Sequence, residues 1–392
     1  MNKIKIAVII TKLELGGAQK VAISICEKLD KNKFDPFLIC GCGGILDKET
    51  KEKIRVIFVK NLVREINPIK DLKALFYIYK ILKKEKPAIV HTHSSKAGIL
   101  GRIAAKLCGI KNIIHTIHGF SFNDTQSFIK RKTFIFLEKF CARLSAILIP
   151  VSTENITKGL KNNIGKKEQY HYIRLGVDIN NFKNFSQVPS LKQELNLNKN
   201  DILITTIGPF KPQKNLPDFI RLANNLSKLD NKFKFVIVGD GELRKYFEQM
   251  IKYFDIFNNI FLIGWRRDIA NILNSSDFFV MTSLWEGLPI STIEALCCGL
   301  VPIVNDVDGQ REIIKNGING FLISPYDIEA IQEKILLLTS DNKLKQKMSK
   351  NAKNCIDKTF SIDYMIKQHE NLYLSSTNSF FNKKKYFKHN GC

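Results

Sequence analysis

Glu286-Gly287-Leu288-Pro289-Ile290-Ser291-Thr292-Ile293-Glu294-Ala295-Leu296-Cys297-Cys298-Gly299 is the stretch on which the reading of this chain turns. An apolar run over 278–281 precedes it and a second over 301–304 follows. The runs read as strands. The segment between reads as a loop turning at Gly-Leu-Pro, then a helix over 290–298 that stops at Gly299. Strand, helix and strand in that order make a parallel unit. One carboxylate, Glu286, falls in the loop. The second, Glu294, falls in the helix. Free N–H groups of the first helical turn lie between them. Such a pocket can hold a phosphate on N–H groups and hydroxyls on carboxylates. Each residue also has a plainer reading: Ser291-x-x-Glu294 fits a capping box, and Glu286 fits an exposed loop carboxylate.

The same alternation runs through the chain. Strands are predicted at 4–10, 37–40, 55–59, 88–91, 112–116 and 146–151, with helices over 17–29, 70–84, 96–108 and 128–143. It pauses after Leu175-Gly176-Val177-Asp178. It resumes with strands at 202–207, 234–238, 260–263, 278–281, 301–304 and 321–323, and helices near 215–229, 242–252, 267–273, 290–298, 309–315 and 327–339. Continuous apolar strands separated by amphipathic helices imply parallel sheets covered on both faces. The expected division is an α/β domain over 1–185, a linker over 186–200, a second α/β domain over 201–358, a helix over 359–374 folding back on the first domain, and a basic mobile tail over 375–392. Both domains are expected to be doubly wound, with strand ends facing each other across a cleft.

With 392 residues and 44% hydrophobic content, two well-filled cores are the natural expectation. The formal charge is +24. Residues 1–185 hold 34 Lys+Arg against 15 Asp+Glu, and the remainder 27 against 22. The first half, at +19, is therefore the one suited to an anionic partner such as a membrane surface or a phosphorylated substrate. A composition biased to Ile, Asn and Lys is the competing explanation. The nine cysteines form no CxxC pair, which suits a reduced, cytoplasmic protein. No apolar run approaches the ~20 residues that span a bilayer, and the first strand is too short for a signal segment.

Other loops carry chemistry of the same kind. Gly16-Gly17 precede the helix over 17–29, where backbone can approach a phosphate at a helix start. Gly208-Pro209-Phe210-Lys211-Pro212-Gln213-Lys214 follows the first strand of the second domain, and Lys214 there can neutralise a diphosphate leaving group. Neither the Gly16-Gly17 loop nor Gly239-Asp240-Gly241-Glu242-Leu243-Arg244 completes the G-x-G-x-x-G fingerprint, which weighs against a dinucleotide site. His91, His93, His115 and His118 end neighbouring strands. They read either as a metal set or, with Gly119, as a single histidine aimed at a ligand.

Taken together, Gly16-Gly17-Ala18-Gln19, His93-Ser94-Ser95-Lys96-Ala97-Gly98, His118-Gly119-Phe120, Leu175-Gly176-Val177-Asp178, Phe210-Lys211-Pro212-Gln213-Lys214, Gly239-Asp240-Gly241-Glu242, Gly264-Trp265-Arg266-Arg267-Asp268 and the Glu286/Glu294 block resemble the retaining glycosyltransferases of family 4. The resemblance covers nearly the whole chain and points to the branch that builds bacterial capsule, exopolysaccharide and O-antigen units. It implies a GT-B fold of two Rossmann-like domains and transfer from a nucleotide-sugar, UDP-linked by preference with a GDP-sugar as the alternative, to a polyprenyl-diphosphate-linked or other glycan acceptor. It implies Glu286, Lys214 and His118 as catalytic. Gly16, Gly17, Gly208, Lys211, Gly241, Arg266, Gly287, Leu288, Pro289 and Glu294 would hold the donor, and Lys96 and Arg102 the acceptor. No metal is expected. Pro209 stands where the family often has Arg, leaving the diphosphate one cation short unless Lys211 or Arg266 substitutes.

The basic first half then suggests a peripheral protein at the inner face of the cytoplasmic membrane, touching anionic lipid through Lys130-Arg131-Lys132 with Phe128, Phe134 and Phe136. A GT-B epimerase and a basic nucleic-acid-binding protein are the alternatives. The second lacks any recognised binding module, so no nucleic acid is expected.

Overall fold

The structure, a computed structural model, describes residues 3–123, 126–183 and 190–388, with side chains through residue 377. The chain divides into two compact units, Met1–Gly176 with Ile362–Cys392, and Val177–Ser361.

The first unit holds strands β1 (Ile4–Ile9), β2 (Phe34–Cys40), β3 (Val56–Phe58), β4 (Ile89–His93), β5 (Asn112–Ile117) and β6 (Ile147–Pro150). They pair in parallel in the order β3-β2-β1-β4-β5-β6. Helices α1 (Gly17–Lys28), α2 (Asp47–Lys53), α3 (Pro68–Glu85), α4 (Ser95–Leu107), α5 (Phe128–Leu144) and α6 (Thr153–Lys161) connect or follow them. Most strand residues are apolar and buried because helices cover both faces; the edge strand β3 is only half-buried and β4 carries two buried histidines.

The second unit begins with short helices α7 (Ile179–Lys183) and α8 (Leu191–Glu194). It continues β7 (Ile202–Ile207), α9 (Leu216–Leu229), β8 (Phe233–Val238), α10 (Arg244–Phe254), β9 (Ile260–Leu262), α11 (Ile269–Asn274), β10 (Phe278–Met281), α12 (Ile290–Cys298), β11 (Pro302–Asn305), β12 (Phe321–Ile323), α13 (Ile328–Ser340) and α14 (Asn342–Asn354). Its parallel sheet runs β12-β11-β10-β7-β8-β9. A final helix, α15 (Ile362–Lys388), belongs to the first unit.

Both sheets reverse direction at one place: between β1 and β4 in the first unit, and between β7 and β10 in the second. Loops leaving the carboxyl ends of the two central strands diverge there and leave a crevice, the usual ligand position in open α/β sheets.

The division departs from the expected one. The first unit ends at Gly176 rather than 185. The stretch read as a linker over 186–200 contains α8, whose Leu191 is fully buried against Leu203, Val236 and Ile272. Residues 184–189 lie outside those described. The second unit extends to Ser361 rather than 358. The segments read as a short helix over 359–374 and a mobile tail over 375–392 are one helix as far as Lys388, with Tyr373, Ser376 and Thr377 buried. Residues 389–392 of that tail lie outside those described. The helix expected over 309–315 is a single 3-10 turn, Asp308–Glu312. Helix α14 escaped notice because its stretch is polar and buries only Met348 and Ala352.

Arg102 was expected at the acceptor. It is instead fully buried. Gly98 and Gly101 let α4 lie tight on the sheet: an added Cβ would come within 2.6 Å of His115 and 2.8 Å of Thr92. That closeness places Arg102 under α5, where it donates to the Gly98 carbonyl at 2.8 Å and to Glu138 at 3.0 Å. A buried ion pair of this kind joins α4 to α5. Removing one partner strands the other charge, at about 3–5 kcal/mol. Glu138→Ala is therefore expected to lower the urea unfolding free energy by about that amount. The paired change Arg102→Met with Glu138→Leu should recover most of the loss.

Candidate functional site

At the β7/β10 crevice the second unit gathers most of the residues singled out from the sequence. Lys214 ends a 3-10 turn, Pro212–Lys214, and Glu286 lies in the loop after β10. Their side chains meet at 2.7 Å, with only 12% and 9% exposure. The two loops are laced together around this pair. The Leu284 N–H donates to the Gln213 carbonyl at 2.9 Å, and Gln213 Nε2 to the Trp285 carbonyl at 2.8 Å. Thr282 Oγ1 donates to the carbonyls of Lys214 and Asn215, each at 3.0 Å. Asn305, at the end of β11, donates to the carbonyls of Thr282 and Ser283. The Glu286 N–H donates to Asp308 Oδ2 at 3.2 Å, and Asp308 takes a left-handed φ of 28° to reach it.

Beyond Glu286 the chain is buried from Gly287 to Ile290. Among the described residues no main-chain carbonyl accepts from the N–H of Gly287, Leu288 or Ile290. Buried N–H groups without partners are rare, and a row of them at a helix start suits an anion. Pro289 caps α12 without a side-chain hydrogen bond, so Glu294 does not serve the capping box that its spacing permits. It sits in the first turns of α12 and is 4% exposed.

Glycine is required where backbones close on this site. At Gly208 a Cβ would fall 2.6 Å from Lys214 Cε, because the lysine stem lies across that glycine. Gly239, at φ +139°, faces the Gly208 carbonyl with only 2.0 Å for a Cβ. Gly309 would strike the Gly287 carbonyl at 1.9 Å. Gly241 lies against Phe210. The Gly239 N–H donates to the Gly264 carbonyl at 2.9 Å, which brings the 239–241 and 264–267 loops side by side.

Arg266, one of the two cations considered for the gap at Pro209, is paired within the second unit. Its guanidinium is clamped by Glu194 at 2.6 and 2.8 Å and by Asp268 at 2.8 and 2.7 Å. Two carboxylates already neutralise it, and hydrogen bonds to Asp268 and then Glu194 hold its pKa well above the usual value. Lys211 stands in the same loop as Lys214 and precedes its 3-10 turn.

In the first unit Gly16 is the extended cap of α1 and Gly17 its first residue. The β1/β4 crevice is closed by Thr11 Oγ1 and Ser94 Oγ at 2.8 Å, with Ser94 at φ 60°. Lys96, expected at the acceptor, has its charge met by Asp71 at 2.7 Å and also donates to the Glu65 carbonyl. On α5, Phe128 and Phe136 face outward, while Phe134 turns in against the core.

The histidines form a buried network. His91 bonds Tyr373 and Thr116, each at 2.7 Å, and His115 bonds Thr92 at 2.9 Å. His93 Nδ1 meets His118 Nε2 at 2.9 Å. His118 thus keeps Nδ1 as its unpartnered ring nitrogen. The sequence showed the HxH spacing but not this pairing. Thr282 and Asn305 were also missed. Their only signal is a polar residue placed directly after an apolar strand core.

Two outcomes follow from this geometry. Gly208→Ala should displace Lys214 and lower any lysine-dependent activity by at least about tenfold in a steady-state assay, with little change in melting temperature. Gly239→Ala should destabilise the fold itself, because carbonyl backbone occupies its space. Burial, the largest cause, holds His91, His93 and His115 well below 6.5 and His369 at about 4. The unfolded chain titrates near 6.5 and so binds more protons between about pH 6.5 and 4. Stability should therefore fall as pH drops through that window and be insensitive to these groups above it. His369→Gln should flatten the slope of melting temperature against pH.

Comparison with known proteins shows the family. The family Glycosyltransferase Family 4 matches residues 15–181, and Glycosyl transferases group 1 matches residues 187–355. An Escherichia coli UDP-Gal:alpha-D-GlcNAc-diphosphoundecaprenol alpha-1,3-galactosyltransferase is 39% identical over 95% of this chain and 97% of its own. A Campylobacter jejuni N,N'-diacetylbacillosaminyl-diphospho-undecaprenol alpha-1,3-N-acetylgalactosaminyltransferase is 29% identical over 84% of this chain and 88% of its own. Anabaena HepE, solved with UDP and glucose, superposes with a TM-score of 0.83 at 20% identity, covering 95% of this chain and 100% of that one. With two doubly wound units, each matched by its own family, this chain belongs to the family 4 glycosyltransferases and has the GT-B fold.

Proposed function

We propose that this protein transfers a hexose from a UDP-sugar to a sugar carried on a polyprenyl diphosphate, with retention at the anomeric carbon, in bacterial surface-polysaccharide synthesis. The observation that carries this reading is the Lys214–Glu286 pair beside the open N–H groups of Gly287, Leu288 and Ile290. Breaking a sugar–phosphate bond develops negative charge on the diphosphate and positive charge on the sugar. A preorganised ammonium and N–H row suit the first, and a carboxylate suits the second.

In this reading the N–H row holds the distal phosphate and Lys214 meets the charge of the departing diphosphate. Gly17 adds a helix-start N–H. Glu294 accepts from the ribose hydroxyls and Glu286 from hydroxyls of the donor sugar. His118 offers Nδ1 to a sugar hydroxyl. The acceptor hydroxyl attacks the face the diphosphate leaves, and a phosphate oxygen takes its proton. Without donor, Lys214 and Glu286 neutralise each other; an arriving diphosphate gives Lys214 a second anion and frees Glu286 for hydroxyls. Protein cations and N–H groups take the place of a metal, so chelation should leave the rate unchanged. UDP-galactose is the first donor to try, because the Escherichia coli relative is named for it. A diphosphate lipid acceptor puts the work at the membrane surface, where the basic first unit meets anionic headgroups.

A saturating nucleotide at 100 times its Kd stabilises a fold by about 2.7 kcal/mol. UDP should therefore raise the melting temperature where GDP, ADP and NAD do not, and Glu294→Ala should abolish the shift. Lys214→Ala and Glu294→Ala should each cut transfer by about 10²–10³ in a radiolabelled-sugar assay with the fold intact. Near-normal rates in either variant would remove the role assigned to it.

A further inference from the structure

Helix α3 has two apolar faces. Ala74, Ile78 and Leu82 are buried in the core. On the opposite side Ile69, Leu72 and Phe76 stand 70%, 68% and 51% exposed, at spacings of three and four that keep them on one stripe. Between α3 and the end of α4 lies an open groove of about 310 Å³, lined by Leu72, Leu75, Phe76, Tyr79 and Leu107. Leu107 is itself 64% exposed. Exposed apolar residues grouped in this way mark an interaction surface, unlike ones scattered singly.

The rim of the stripe decides the partner. Lys70, Lys73, Lys80, Lys83 and Lys84 are all exposed along α3. Lys80 lies over Phe76 at 4.4 Å and Lys83 over Tyr79 at 5.6 Å. The helix's two carboxylates are already paired: Asp71 with Lys96, and Glu85 with Lys5 and Arg55. The face thus offers apolar and aromatic groups within a border of cations and exposes no carboxylate. Helix α4 packs between α3 and α5, and α5 repeats the pattern with Phe128, Ile129 and Phe136 exposed and Lys132 over Phe128 at 4.3 Å. A protein partner needs no such one-signed border. The headgroup and acyl layers of an anionic bilayer match it.

We propose that α3 is a bilayer-docking helix: Ile69, Leu72 and Phe76 enter the acyl region of an anionic membrane, its lysines sit among the headgroups, and the α3–α4 groove takes part of a lipid chain. This deepens the membrane reading above and moves its principal contact from the Lys130-Arg131-Lys132 segment to α3. None of these residues belongs to the donor machinery, so docking and chemistry can be separated.

The test uses the full chain with phosphatidylcholine vesicles, with and without phosphatidylglycerol, at low and high salt. Wild type should sediment with the anionic vesicles alone, and salt should reverse it. Leu72→Gln with Phe76→Gln should weaken that binding at least tenfold. Lys73→Gln, Lys80→Gln and Lys83→Gln together should weaken it about a hundredfold, from roughly fivefold per lysine at an anionic surface. Both variants should transfer sugar to a water-soluble acceptor at the wild-type rate. Wild-type vesicle binding by both variants would overturn the proposal. So would loss of binding on changing α5 alone, or a wild-type dimer that Leu72→Gln with Phe76→Gln dissociates while vesicle binding persists. A wild-type chain that binds vesicles but transfers no sugar would instead count against the transferase reading and leave the docking helix standing.

Discussion

The contact on which the second unit's site depends is the salt bridge between Lys214 and Glu286. The two residues lie 72 positions apart, one after β7 and one after β10. These strands are neighbours only because the sheet reverses between them. Each charge is largely removed from water, and each offsets part of the other's desolvation cost. The pair therefore does more than hold two loops. It keeps an ammonium and a carboxylate desolvated and in register at the place where a parallel sheet naturally opens. An ion pair with little water around it responds strongly to a third charge, which suits a site that must handle a diphosphate.

Around that pair, stiffness comes from backbone packed against backbone. Gly208, Gly239 and Gly309 each sit where a carbonyl or a lysine stem fills the space a side chain would need. Asn305, Thr282 and Gln213 bind carbonyls of the two loops. The N–H groups of Gly287, Leu288 and Ile290 are left without a main-chain acceptor among the described residues. Their desolvation is a cost of folding that a bound anion would relieve. The first unit has a different economy. Its histidines and Arg102 bond one another, Tyr373 and Glu138, and most of them stabilise a core, while His118 keeps Nδ1 open.

Much of the fold was legible because strand and helix patterning is local. The period of apolar residues depends on which face of an element is buried, and that repeats within a few residues. Polar stretches escaped for the same reason: α14 buries two side chains and α8 one. Within the site, the spacing of Glu286 and Glu294 and the loop carrying Lys214 were readable, since turn and helix-start chemistry is written in adjacent residues. The assignment of Arg102 and Arg266 was not. A lone arginine looks the same in sequence whether it is free for a ligand or held by a carboxylate from another element.

By itself the sequence determined the alternation of strand and helix, the two-unit layout and the motifs at the strand ends, because each rests on residues near one another in the chain. Tertiary structure decided which charges remain available. Glu138 claims Arg102, Glu194 and Asp268 claim Arg266, and Lys214 is left with Glu286 beside open N–H groups. It also decided that one apolar stripe of α3 is core and the other is surface, since helical periodicity marks both faces alike. Partnership between charges and burial of a face both depend on contacts between segments far apart in sequence, and only folding brings those together.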